Sequence, residues 1–342
     1  MATRTDTWLR LPDAPPVDGL RFRRPRADDA EYEALAELIC ADSRADDIPW
    51  LPSGEMLREE WEEDLEGADP RFDFIVAEID GTLVAVAGHD RGVRVGKPAY
   101  HLWGQVYPDW RRRGIGRALL RENLRRATER ATERDELLAS GRPEIRGFVS
   151  ETSPGHRAIL EAEGLVPIRW IFLMLRPKLD EIPEAPLPDG IDLRPVEPDQ
   201  VRHIALAEYE AFRDHWEPRD WTEASFEAML ARKELRTDLW VVAWDGDEVA
   251  GVVQNWIWPD ENERIGVERG WLERISVRRP WRRRGLGRAI TAESLRRLRD
   301  AGMREAMLGV DADNPTGALG LYEGLGFDIA QRSMVHGWPR ED

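Results

Sequence analysis

The 342-residue sequence predicts an α/β (α+β) protein of two tandem domains, each a mixed, mostly antiparallel sheet flanked by helices. Three internal echoes carry that reading, in the same order and at nearly the same spacing. LRFRRPRADDAEYEALAEL (20–38) returns as IDLRPVEPDQVRHIALAEY (191–209), with Arg24-Pro25 and Arg194-Pro195 170 positions apart (194 − 24). FIVAEIDGTLVAVAGH (74–89) returns as WVVAWDGDEVAGVVQN (240–255), two apolar runs around Asp-Gly in each case. RRRGIGRALL (111–120) returns as RRRGLGRAIT (282–291), 171 positions on (282 − 111). So long a period, shared by three segments, means a duplicated domain and not a solenoid.

Taken in order, residues 1–19 read as an N-terminal extension without the apolar stretch of a signal peptide. The first domain is expected over 20–176. It opens on a strand, and EYEALAELIC then places Cys40 on the apolar face of a helix. That lone cysteine has no disulfide partner and reads as packed. Asp80-Gly81 marks a hairpin. A strand, AYHLWGQVY (99–107), leads into the first cassette, and Leu120, Leu124, Ala127 and Ala131 follow at helical spacing. WIFLML (170–175) is too short to span a bilayer and reads as a buried strand. RPKLDEIPEAPLPDG (176–190) holds four prolines and predicts an extended linker over 177–189. The second domain, 190–342, repeats the order: an Asp-Gly hairpin, the strand GWLERISVR (270–278), the cassette, and a helix carrying Leu295 and Leu298.

Composition is 42% hydrophobic and 34% charged, that of a soluble globular chain. A net charge of −17 argues against nucleic acid or an anionic membrane as partner through the surface at large, but permits a local cationic pocket. The stretch 111–134 holds nine arginines, yet also three glutamates and no interleaved stacking aromatics, so it does not read as a strand-binding groove. Six histidines without ligand spacing and one cysteine predict no metal site, and the cysteine usage suits a reducing cytoplasm. Assembly state is left open.

Each cassette sits where a strand turns into a helix. There the first N–H groups of the helix lack partners, the helix dipole favours negative charge, glycine permits close approach, and arginines add bidentate contacts. The ligand of such a turn is a phosphate or pyrophosphate. A Walker loop is excluded because no GKS or GKT follows. A dinucleotide fingerprint is excluded because Leu119 and Ile290 stand where its third glycine belongs.

Arg282-x-x-Gly285-x-Gly287 after LERISV (272–277), Arg111-x-x-Gly114-x-Gly116, and the later NPTGALGLYEGLGF (314–327) resemble the signatures of the GCN5-related N-acetyltransferases, here as a tandem, two-domain member. The resemblance covers both halves and implies acetyl-CoA as cofactor. It implies that strand 270–278 splays from its neighbour near Val277 and offers Ile275, Ser276 and Val277 to the pantetheine arm, the Val277 N–H polarising the thioester carbonyl. Arg282, Arg283, Arg284, Gly285, Leu286, Gly287, Arg288 and Ala289 would surround the pyrophosphate, chiefly through backbone N–H groups from Arg283 to Arg288. Asn314 would bond the pantetheine arm, and Tyr322 would protonate the departing thiolate. Val106, Arg111, Arg112, Arg113, Gly114, Ile115, Gly116 and Arg117 hold the matching cofactor positions in the first domain.

An amine attacks only when unprotonated, so a base is expected. Glu273 shares strand parity with Ile275 and Val277 and is the candidate. The first domain departs from this pattern. Aligning Gly326-Phe327 with Gly164-Leu165 puts Leu160 in the place of Tyr322 and Thr152 in that of Asn314, and aligning the cassettes puts Leu102 at Glu273. The first domain is therefore expected to be degenerate, with His101 and His156 its remaining acid–base groups. The segments 41–56 and 213–226 mix carboxylates with tryptophan, and Asp214, Trp216 and Asp220 are candidates for holding a cationic acceptor. The sequence thus points to an N-acetyltransferase acting on a primary amine of a small molecule. The alternative is a non-catalytic acyl-CoA-binding sensor or structural protein.

Overall fold

The computed structural model describes residues 8–62, 68–94, 97–216, 218, 221–313 and 317–339. It divides into two compact units, residues 1–170 with 333–342, and residues 171–332.

In the first unit the elements run β1 (Leu20–Arg23), α1 (Asp29–Ala45), α2 (Gly54–Glu62), α3 (Pro70–Asp73), β2 (Phe74–Ile79), β3 (Thr82–Arg94), β4 (Lys97–Val106), α4 (Ile115–Glu133), β5 (Ile145–Ser150), α5 (Pro154–Ala162) and the start of β6 (Val166–Arg176). Strands lie in the order β1-β2-β3-β4-β5, and only β4 and β5 are parallel. The Asp80-Gly81 hairpin forms as expected, with both residues at positive φ (51° and 84°), the backbone of a type I′ turn. All of β2 is buried, and its alternation sorts the two faces. Phe74 and Val76 meet Tyr32, Leu35, Leu38 and Ile39 of α1, while Ile75, Ala77 and Ile79 meet Ile115, Ala118 and Leu119 of α4. Cys40 is buried in α1, its Sγ 3.4 Å from Pro52 O.

The second unit continues with β7 (Asp192–Arg194), α6 (Val201–Phe212), α7 (Glu223–Ala231), β8 (Val241–Asp245), β9 (Glu248–Ile257), α8 (Pro259–Ile265), β10 (Arg269–Val277), α9 (Leu286–Asp300), β11 (Glu305–Asp311), α10 (Ala318–Glu323) and β12 (Asp328–Gly337). Strand order is β7-β8-β9-β10-β11-β6, again with one parallel pair, β10 and β11. Val242 and Val252 pack with α6 and α7 on one face, while Val241 and Val253 pack with Leu286, Ile290, Leu295 and Leu298 of α9 on the other.

The unit boundaries differ from the 20–176 and 190–342 of the sequence reading. The closing strand of each repeat is the reason. Ile171–Arg176, at the end of the first repeat, pair with β11 in the second unit, and Ser333–His336, at the end of the second repeat, pair with β5 in the first. The proline-rich segment 177–189 has no helix or strand, and it is packed against the second unit. Leu179, Ile182, Ala185, Leu187 and Ile191 pack into the α9-side core, and Arg296 donates to Pro183 O at 3.2 Å. Leu9, Leu11 and Val17 do the same beside α4. LPDAPPVDGL (11–20) and IPEAPLPDGI (182–191) stand 171 apart (182 − 11), so the extension and the linker are one repeated element. No helix among the described residues is long and apolar enough to cross a membrane.

Candidate active site

The second unit opens where β10 and β11 part. Their parallel ladder runs through Arg269↔Glu305, Gly270↔Ala306 and Trp271↔Met307 and goes no further, although β10 continues to Val277 and β11 to Asp311. The gap therefore begins well before Val277. On its other edge β10 pairs with β9 up to Val277↔Gly251, and Arg278 N–H donates to Ala250 O at 3.0 Å. Peptide groups alternate along a strand, so the Val277 N–H turns away from β9 and into the gap. The Val277 carbonyl, on the same edge, accepts from Arg282 Nε at 2.8 Å.

The cassette stands at the mouth of this gap. Gly285 takes the left-handed conformation (φ 85°) that ends the loop and starts α9, and a methyl group added there would meet nothing within 4 Å. The first helical bond is Ala289 N–H to Gly285 O at 3.1 Å, so the N–H groups of Leu286, Gly287 and Arg288 precede the ladder. Leu286 and Ala289 themselves point into the core. Arg283 and Arg284 are exposed and form no ion pair with a described residue. Arg282 behaves differently, and here the phosphate assignment is corrected. Besides Val277 O, its guanidinium binds Ala211 O (2.9 Å) and Asp214 Oδ2 (2.5 Å). Arg111 repeats the arrangement on Val106 O, Asp42 and Asp46. The first arginine of each cassette ties the loop to the end of the first long helix, a geometry no spacing rule distinguishes from phosphate binding.

Asp214 is thereby accounted for too. Hydrogen bonds from Arg279 and Arg282 hold its carboxyl far below the usual range. It anchors the segment after α6 and does not serve as a free anion for an acceptor. Trp216 is half-buried in the same segment. Asp220 and Asn314 lie outside the described residues.

Tyr322, near the end of α10, is 6% exposed. It shares an apolar cluster with Ile275, Val277, Leu286 and Val310 and meets Phe327 edge-on at 6.1 Å. Burial pushes its phenol up. A methyl added at Gly287 would come 3.3 Å from Leu321 Cδ1 and 3.7 Å from Val277 Cγ2, so α10, the first turn of α9 and the end of β10 converge.

Glu273 is where the sequence reading of the strand fails. A bulge interrupts β10: Leu272 pairs with Asn255 and Arg274 with Gln254, leaving Glu273 as the extra residue. Leu272 and Ile275 thus share the α9 face with Asn255 and Val253, whereas Trp271, Arg274 and Ser276 share the α6 face with Trp256, Gln254 and Val252. Glu273 falls with Trp271 and Arg274, not with Ile275 and Val277. The residue is exposed, although Arg274, Glu261, Arg232 and Trp258 crowd its carboxylate. Desolvation raises its pKa; Glu261 raises it further, while Arg274, Arg232 and a hydrogen bond with Trp258 oppose. Trp256 and Trp258 stack nearby (5.4 Å, 10°), and Trp271 Nε1 donates to Glu261 at 2.8 Å. Sequence reasoning also passed over His215, half-buried against Phe212 (4.3 Å), whose pKa burial lowers and nearby Asp311 raises.

The first unit keeps the frame and changes the contents. The β4/β5 ladder likewise ends early, at Leu102↔Gly147, and Gly114 starts α4 at φ 87°. Its β4 has no bulge: Leu102 pairs with His89 and Trp103 with Gly88, so the residue matching Glu273 is missing and Leu102 corresponds to Leu272. The Val106 N–H meets the Asp42 carboxylate at 3.4 Å, and Ser153 Oγ donates to Asp46 at 2.6 Å. Leu160 is buried where α10 carries Tyr322. His101 is paired with Asp90 at 2.9 Å on the neighbouring strand, and burial lowers the His156 pKa to about 4.

Comparison with known proteins finds one family in both halves of the chain. The pattern of the acetyltransferase (GNAT) family matches residues 199–327, and that of an acetyltransferase (GNAT) domain matches residues 70–148. A mycothiol acetyltransferase of Catenulispora acidiphila is 30% identical over 92% of this chain and 96% of its own length. One from Geodermatophilus obscurus is 30% identical over 88% and 92%. The crystal structure of a GCN5-related N-acetyltransferase from Sphaerobacter thermophilus is 26% identical, with a TM-score of 0.73 over 95% of this chain and 98% of that one.

Proposed function

The chain belongs to the GNAT family of acetyltransferases, and on that premise we propose that its second unit moves an acetyl group from acetyl-CoA to a primary amine of a small molecule, while the first unit does not turn over. The observation that carries this reading is the unpaired edge of β10, with the Val277 N–H turned into a gap that ends at the first turn of α9.

The residues present suit coenzyme A. The unladdered N–H groups of Leu286, Gly287 and Arg288, the open space at Gly285, and the exposed Arg283 and Arg284 would hold its pyrophosphate. Ile275, Ser276 and Val277 line the edge on which an extended arm adds like a strand. Asn314 is assigned to that arm by the family signature alone. When bound, the thioester supplies an acyl group activated for transfer. The Val277 N–H is the donor for the carbonyl oxygen as negative charge develops there. Glu273 accepts the amine proton, directly or through water, from the α6 face of the sheet. Tyr322, whose phenol burial keeps protonated at neutral pH, delivers a proton to the departing sulfur.

In the first unit the Asp42 carboxylate stands where charge would develop, and Leu160 can deliver no proton. For the acceptor, Asp214 gives way to Glu273 and the half-buried Trp258, which is stacked on the buried Trp256, as the groups a cationic amine would meet. Because the relatives are mycothiol acetyltransferases, amines related to mycothiol come first in a panel of acceptors.

Acetyl-CoA at about 100 times its dissociation constant is expected to stabilise the protein by about 2.7 kcal/mol, read as a rise in melting temperature. An amine library followed by free-thiol release should then find a turned-over acceptor. No stabilisation by any acyl-CoA would overturn the proposal.

A further inference from the structure

Beside Glu273 the second unit holds an ion pair with a buried carboxylate and an amide bound to it. Glu208 on α6 is 1% exposed and accepts from both Arg274 Nε and Gln254 Nε2. The Arg274 guanidinium lies over Phe212 (4.6 Å) and Tyr209 (5.5 Å), so one carboxylate and two rings fix its position. The bulge makes Arg274 and Glu273 neighbours on one face, so whatever fixes Arg274 also fixes the extra residue.

The first unit supplies an internal control. Trp103 occupies the register of Arg274 and packs against Phe74 (4.7 Å) and Trp61 (5.9 Å). Matching Asp42 O with Ala211 O, the carbonyls bound by Arg111 and Arg282, puts Ile39 at the place of Glu208, and Ile39 is buried in the apolar cluster around Trp61. The same sheet therefore folds with apolar aromatics at this place. Burying an ion pair there instead removes two charges from water and is at best neutral for stability against a packed hydrophobic alternative. The copy that retains the costly arrangement is the copy that has the bulge and the glutamate.

We propose that Arg274, held by Glu208, which Gln254 binds in turn, is a positioning residue for Glu273: it seats the bulge and keeps a guanidinium beside the carboxylate on the acceptor side of the gap. This rests on the reading of Glu273 as the base. The charged groups facing Glu273 are Arg274 on its own strand, Glu261 on α8 and Arg232 after α7. Only the first would be changed in the test.

The test is the paired substitution Arg274→Met with Glu208→Gln, which leaves no uncompensated buried charge, made alone and together with Glu273→Gln. The pair alone should keep KM for acetyl-CoA within about twofold and lower acceptor kcat/KM by about tenfold or more. The acidic limb of kcat/KM should move to higher pH, because a carboxylate deprived of its cation binds its proton more tightly. In the Glu273→Gln background the pair should change activity by no more than about twofold, since both substitutions act through one group. An unmoved acidic limb, or an undiminished effect in that background, overturns the positioning role and leaves the base intact. Near-normal activity of Glu273→Gln by itself overturns both. A variant that does not fold shows as a lost melting transition, and Arg274→Lys then replaces it: keeping the charge without the fork, it should leave the limb in place while lowering kcat, and a shifted limb counts against the proposal.

Discussion

Replacing Tyr322 by phenylalanine should lower kcat for acetyl transfer by about 10²–10⁴-fold while leaving KM for acetyl-CoA within about twofold. The substitution removes one oxygen and keeps the ring, so the contacts with Phe327 and the surrounding cluster survive. A fall in kcat at constant melting temperature therefore reports proton delivery and not packing. On the proposed assignment the first unit does not compensate, because Leu160 stands in the matching place and the Val106 N–H already faces a carboxylate. The pH profile adds a second readout. Burial raises the Tyr322 phenol above its ordinary value, so any alkaline limb it causes should lie higher than for an exposed tyrosine, and should vanish in the variant. Nearly full residual activity would sink the assignment and move the acid elsewhere, with His215, close to Asp311 at the end of β11, the next group to test.

The duplicated order was legible because each signal in it is local. Asp80-Gly81 makes its own turn, and each cassette places a glycine where the chain must adopt positive φ to begin a helix. What escaped the sequence reading was set by partners distant in the chain. Strand parity for Glu273 assumed an unbroken alternation, and the bulge that breaks it is visible only in the pairing with β9. Arg282 and Asp214 looked like ligand-binding charges because nothing in their spacing says they neutralise each other. The exchange of closing strands is likewise invisible, since β6 and β12 have the pattern of a buried strand whichever sheet they join. The packed linker is a different case. Its repeat, LPDAPPVDGL against IPEAPLPDGI, was present in the sequence and was outweighed by its prolines.

The asymmetry between the two units predicts a difference between two substitutions that the fold treats alike. A side chain at Gly287 would point toward Leu321 (3.3 Å) and Val277 (3.7 Å), and one at Gly116 toward Val106 (3.4 Å) and Ile159 (3.6 Å). The steric surroundings match, so Gly287→Leu and Gly116→Leu should each cost a similar amount, about 1–3 kcal/mol of overpacking, measured by chemical denaturation. Their effects on catalysis should diverge. At Gly287 the new side chain fills the angle between the end of β10 and α10, where the arm must lie for the Val277 N–H and Tyr322 to reach the reacting centre. A displacement of about 1 Å there is worth about 10²-fold, and kcat/KM for acetyl-CoA should fall by at least that factor. At Gly116 the same leucine closes a gap whose strand donor is already engaged by Asp42, and kcat/KM should stay within about threefold. Equal losses at both glycines would mean that the first gap takes part in turnover, and that the Asp42 contact yields to ligand. Equal retention would place the coenzyme away from both gaps and remove the basis for every residue assigned along β10.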